Sequence, residues 1–148
     1  MREILFKAKR IDNGEWVQGG VLHQTDYYGD KVDKYFIIDG TCTVDYDIGE
    51  VFKVDKNTIC QYTGLKDKNG TKIYEGDILH GEFYGYPFPC KETFIVKWHK
   101  ANAGFLANYF NNEKCKVIGN IFDNPELLNY VDNEASQQAH QEVLKPAT

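Results

Sequence analysis

The sequence predicts a mainly β protein made of several short, strongly coiled antiparallel sheets. Three observations carry that expectation. Ten Tyr, nine Phe and thirteen Gly favour strands and turns. Ala and Leu, the residues that build helices, are scarce before Leu127. Short apolar runs also alternate with turn dipeptides along most of the chain, leaving no room for helical crossovers. The 148 residues are enough for a real core. They read as a single domain over 1–131, with 1–57 and 58–131 as subunits, followed by a polar tail over 132–148 that is either a helix extension or frayed.

In chain order, Glu3–Lys9 alternates with Ile4, Phe6 and Ala8 on one face and predicts a first strand. Asp12-Asn13-Gly14 is a turn signal, and Glu15–Val17 resumes extended structure with Trp16 as its anchor. Gly19-Gly20 is expected to break that strand before Val21-Leu22-His23 begins another. Asp26–Lys34 is polar and predicts a loop or hairpin tip. Tyr35–Ile38, closed by Asp39-Gly40, predicts a strand. Val44, Tyr46 and Ile48 alternate, and Val51, Phe52 and Val54 fit either a strand or one helical turn.

The densest stretch is Thr58–His80. Ile59–Tyr62 is extended, Asn69-Gly70 suits positive φ at both central positions of a turn, and Lys72-Ile73-Tyr74 returns. Glu75-Gly76-Asp77 then turns the chain into Ile78-Leu79-His80. Thr93–Trp98, Gly104–Leu106 and Lys116–Ile121 follow at hairpin-like spacing, a pattern like that of an SH3-like barrel in the second half. Asp123-Asn124-Pro125-Glu126 predicts one short helix near Pro125, with a side-chain cap and Pro at its first position. The run from Asn13-Gly14 to His23 echoes the run from Asn69-Gly70 to His80. An internal duplication and mere reuse of the same turn grammar both account for it.

Composition narrows the function classes. No apolar run approaches the ~20 residues that span a bilayer, and MREILFKAKR holds no signal-peptide core, so a cytoplasmic protein without membrane contact is expected. A net charge of −5 repels phosphate backbones, which makes nucleic acid an unfavoured partner. Cysteines at 42, 60, 90 and 115 show no CxxC or CxH spacing and predict reduced, structural thiols.

The residues also carry a resemblance. Gln61–Gly70, then Ile73-Tyr74-Glu75-Gly76-Asp77-Ile78, resemble the signature of the YopX family of phage and prophage proteins. The opening Arg2-Glu3-Ile4 with Phe6-Lys7-Ala8, and the closing Ile118–Leu128, are similar to that family's two ends. The resemblance implies a β-rich fold of coiled sheets, homo-oligomers and a phage or prophage origin in a bacterial host. It implies no activity and no catalytic residue.

Residue chemistry separates the candidate sites. Asp67, Glu75 and Asp77 read either as carboxylates for metal or acid/base work, or as a turn-holding Asp77 beside a solvated Glu75. The second reading is favoured. His23, His80 and His99 with Cys90 or Cys115 lack the short paired spacing of a zinc site. No catalytic residue, metal or cofactor is therefore expected. The loop residues Phe83, Tyr84, Tyr86 and Phe88 are the candidate partner or oligomer surface, because so many aromatics in one Gly/Pro-rich loop are hard to bury together. Lys66, Lys68 and Lys72, with Tyr62 and Tyr74 nearby, are the candidate contact to a nucleic-acid strand. The leading expectation is a non-enzymatic accessory protein that contacts itself and a phage or host protein. The alternative is a nucleic-acid-binding module built on that lysine hairpin.

Overall fold

The computed structural model describes residues 1–40, 49–83, 90–101, 103–105 and 110–129. The chain divides into two compact units, Met1–Gly64 and Leu65–Thr148. The strands are β1 (Phe6–Lys9), β2 (Trp16–Tyr27), β3 (Asp30–Asp39), β4 (Glu50–Val54), β5 (Cys60–Lys66), β6 (Lys72–Tyr74), β7 (Asp77–Phe83), β8 (Cys90–Ile95) and β9 (Phe110–Asn120). Short 3-10 turns occupy Lys56–Thr58 and Pro125–Leu127. The protein is mainly β, with antiparallel sheets and no long helix among the described residues, as its aromatic, glycine-rich sequence predicts.

In the first unit the strand order is β4-β3-β2-β1-β5. β1 is shorter than its alternation implies: Ile4 stands outside it, largely exposed, and pairing with β2 begins at Phe6 opposite Gly19. The glycine pair does not break β2. The strand runs through it, pairing with β1 up to Gly19 and with β3 from Gly20 onward. A Cβ at Gly19 would sit 2.0 Å from the Ile38 carbonyl oxygen, so the missing side chain is what lets two backbones meet at that bend. Beyond Lys9 the chain returns to β4. Arg10 bridges Val54, the Ile11 N–H donates to the Lys53 carbonyl (3.1 Å), and the Asp55 N–H donates to the Lys9 carbonyl (2.9 Å). These bonds tie the chain at the end of β1 to β4, the terminal strand of the sheet order, and so cover the open edge of β4. Ala8, Ile37 and Val54 fill the interior, with Phe6, Val17, Val21, Tyr35, Phe52 and Ile59 packed around them. Of the two readings of Val51–Val54, the strand is the one observed.

The second unit begins as β5 ends. Leu65-Lys66 leads into the hairpin with β6, and a separate sheet has the order β8-β7-β9. Ile73, Leu79, Val96 and Phe105 form its core, with Phe94 and Val117 against them. The hairpin turn differs from the expectation. Only Gly70 takes positive φ (80°), while Asn69 does not. The Gly70 N–H donates to the Asp67 carbonyl and the Asp67 N–H to the Thr71 carbonyl, each at 2.9 Å. That is a three-residue loop with glycine last, not a two-residue reversal. The reason lies in the Asp67 side chain described below. The Gly76 turn is bonded on both sides, its N–H donating to Val96 and its carbonyl accepting from Ile121.

At Pro125 the structure shows a 3-10 turn. Asn124 does not cap it; its Oδ1 accepts instead from the Asn120 N–H (3.2 Å). The residues after Asn129, including the 132–148 tail, and the Val44–Ile48 alternation lie outside the described residues.

Candidate functional site

Asp67 is where the acids of the central stretch find their use. Its side chain is buried and accepts three backbone bonds. The Asn69 and Thr71 N–H groups donate to Oδ1 at 2.8 and 2.9 Å, and the Val117 N–H donates to Oδ2 at 2.9 Å. The first two hold the loop open to three residues. The third ties it to β9, where the neighbouring Lys68 N–H also donates to the Cys115 carbonyl (3.0 Å) and Asn112 Nδ2 donates to the Lys66 carbonyl (2.8 Å). The hairpin thus covers an edge of β9 that would otherwise be open to another chain. Burial pushes the Asp67 carboxyl up, but the three N–H donors, together with the Thr71 side chain, outweigh it and hold it below its ordinary value.

Asp77 is 2 % exposed, and its Oδ2 accepts from the Tyr74 N–H (2.8 Å), which is the turn-holding role expected of it. Glu75 differs from the solvated side chain expected: it is half-buried, and that burial raises its pKa. Among the described residues no group of three or more His, Cys, Asp or Glu side chains converges as metal ligands. His80 Nδ1 shares a hydrogen bond with Thr93 Oγ1 (2.8 Å). Lys66 and Lys68 are exposed and Lys72 is half-buried, whereas Tyr62 and Tyr74 are each 5 % exposed. Those two rings are core, not stacking platforms for bases. Phe83 ends β7, but its side chain and residues Tyr84, Tyr86 and Phe88 lie outside the described residues.

Cys60 and Cys115 are free and buried. Burial, and then the Glu82 charge, pushes the Cys115 thiol above its ordinary value, and its Sγ–H donates to the Glu82 carbonyl (3.3 Å). Alkylation followed by peptide mapping is expected to leave both cysteines unmodified in the folded protein and to label both in denaturant. Rapid labelling of Cys115 under native conditions would contradict this placement.

The first unit holds a feature that sequence reasoning missed. A hollow of about 760 Å³ lies along the seam where β1 meets β4, bordered also by the start of β3. Lys9, Arg10, Lys31, Lys34, Lys53 and Lys56 line it, against two carboxylates, Asp33 and Asp55. The unit has eight Lys and Arg against eleven Asp and Glu, so six of its eight cations gather in one place within an acidic body. Asp33 is engaged, taking Lys56 Nζ at 2.7 Å on one oxygen and His23 Nε2 at 2.8 Å on the other. Lys56 first, then His23, holds its carboxyl below the ordinary range. His23 stacks on Tyr35, ring centroids 4.0 Å apart. Arg10 pairs with Asp12 and lies over Phe52, and Lys9 lies over Trp16. Lys31, Lys34 and Lys53 make no ion pair among the described residues. The basic positions are spread singly from 9 to 56, so no run of charge marks them. Only the closure of β1 on β4 brings them together.

With this geometry in place, the comparisons with known proteins decide the family. The family model described as YopX protein matches residues 5–129. The chain belongs to the YopX family. Among solved structures, this YopX chain is similar to the crystal structure of protein EF1440 from Enterococcus faecalis. The two are 29 % identical with a TM-score of 0.53, over 86 % of this chain and 99 % of that one. The comparison with curated proteins found no match.

Proposed function

We propose that this YopX-family protein is a non-enzymatic accessory protein of a phage or prophage, working through protein–protein contacts in the bacterial cytoplasm and assembling with copies of itself. The observation that carries the contact reading is an apolar outer face on the first unit. Leu22 pairs across the sheet with Phe36, and Val51 with Ile38. Directly opposed residues share a face, and Phe36 and Ile38 flank Ile37, whose side chain points the other way into the core. Leu22, Phe36, Ile38 and Val51 therefore stand together on the side away from that core, with Leu22 and Val51 each 48 % exposed. A contiguous apolar patch of this kind fits a second chain better than water.

The acids add support. Asp67 and Asp77 are spent on backbone N–H groups, which suits a role in shape more than in acid/base chemistry. No described helix is long and apolar enough to cross a membrane.

Light scattering after size exclusion tests the assembly. The expected mass is a multiple of 17.0 kDa, falling towards the single-chain value in the Leu22→Lys/Val51→Lys double variant while the β signature in circular dichroism persists. A strict monomer at high protein concentration contradicts the proposal.

A further inference from the structure

We infer that the basic hollow of the first unit binds a compact, phosphate-bearing anion of triphosphate size. This goes beyond the contact reading and rests on different observations, the charge and volume of the hollow, although the two features adjoin at Lys53, which pairs across the sheet with Phe36. Charge sets the ligand class. Six cations against Asp33 and Asp55 in the lining, and Asp12 paired with Arg10, leave a surplus of three positive charges. A monocarboxylate offsets only one of them. A triphosphate, with about four negative charges at neutral pH, offsets them all. The volume of about 760 Å³ lies within the range of small-ligand sites, along the seam where the chain beyond β1 meets β4.

The partners already made within the hollow divide the labour. Lys56 is fixed by Asp33, and Arg10 by Asp12 and Phe52, so these two shape the wall. Lys31, Lys34 and Lys53 make no ion pair among the described residues, and their three-donor ammonium groups are free to turn towards phosphate oxygens. Asn57 adds a neutral amide on the same rim. An extended nucleic-acid strand fits less well. Outside the hollow the unit has nine acids to two bases, a net negative charge that disfavours a long phosphate backbone.

Calorimetric titration of the full-length protein separates these ligands, using inorganic tripolyphosphate, ATP, a short oligothymidylate and an oligoglutamate peptide as probes. In about 50 mM salt, tripolyphosphate and ATP are expected to bind saturably, and more weakly as salt rises and screens the charges. The Lys34→Gln/Lys53→Gln variant, altered at two exposed side chains, is expected to lose about tenfold or more in affinity for both. The Lys97→Gln/Lys100→Gln control, in the second unit, is expected to keep wild-type affinity. Thermal melting confirms that each variant is folded. Equal affinity for the two small probes assigns the site to free polyphosphate, and tighter ATP binding assigns it to a nucleotide; both outcomes uphold the inference. It is overturned if neither small probe binds, if the control variant weakens binding as much, or if the oligothymidylate or the peptide binds more tightly than tripolyphosphate.

Discussion

Replacing Gly19 with alanine is expected to destabilise the protein by about 4 kcal/mol or to prevent the first unit from folding, among the largest effects of any single methyl group in the chain. The added Cβ would lie 2.0 Å from the Ile38 carbonyl oxygen, 2.8 Å from its carbon and 3.2 Å from Ile37 Cγ2. Two of those neighbours are backbone atoms of β3, and they cannot rotate away as a flexible side chain could. Ile37 is also fully buried, so relief by shifting β3 would disturb the core itself. The adjacent Gly20 supplies the control. Nothing lies within 4 Å of its Cβ position and its φ is not positive. Gly20→Ala is therefore expected to leave stability unchanged or raise it by up to about 1 kcal/mol, by restricting the unfolded chain. Urea unfolding of the two variants checks the contrast. Equal behaviour of the two would mean that β2 does not approach Ile38 as described.

Asp67 is the second position at which one change should be costly. Asp67→Ala removes the acceptor of three backbone N–H groups and is expected to cost about 3 kcal/mol, since bonds to a charged partner exceed neutral ones. Asp67→Asn keeps the shape yet is expected to cost about 2 kcal/mol. An amide has one accepting atom, so it serves the Asn69 and Thr71 pair or Val117, and its NH₂ opposes whichever donor remains. Acid separates charge from shape. Because the folded carboxyl lies below its ordinary value, it contributes stability that is present above the unfolded pKa of about 3.9 and is lost as pH falls through the folded pKa. The gap between wild type and Asp67→Asn in urea unfolding should therefore be full at neutral pH and narrow only below about pH 4. A gap that persists unchanged in acid would show that the carboxylate charge is not what the loop uses.

These two residues also show what could be read from the sequence and what could not. Short apolar runs bounded by turn residues announced themselves: Tyr35–Ile38 lies within β3, Lys72–Tyr74 is β6, and Ile78–His80 lies within β7. Local chemistry sufficed there. Gly19-Gly20 misled because the local grammar of two glycines is a break, while the actual role of Gly19 depends on a carbonyl from another strand. Asn69-Gly70 signalled a turn correctly but not its width, because Asp67 recruits Val117, fifty positions away. Asn124 looked like a cap and instead accepts from Asn120. The turn-holding role of Asp77 was legible from its place after Gly76. The basic hollow was not, since each of its cations is an ordinary surface residue until β1 closes on β4.

Asp67 shapes the loop of the family's signature stretch through its carboxylate, and amide hydrogen exchange at Val117 tests this most directly. In the wild type the Val117 N–H is expected to exchange slowly at neutral pH, held by Asp67 Oδ2. In Asp67→Asn either the Val117 amide or the Asn69 and Thr71 amides should lose protection, while the β9 amides paired with β7 stay protected. Unchanged protection at all three amides in the variant would contradict the claim and return Asp67 to the pool of carboxylates available for another role.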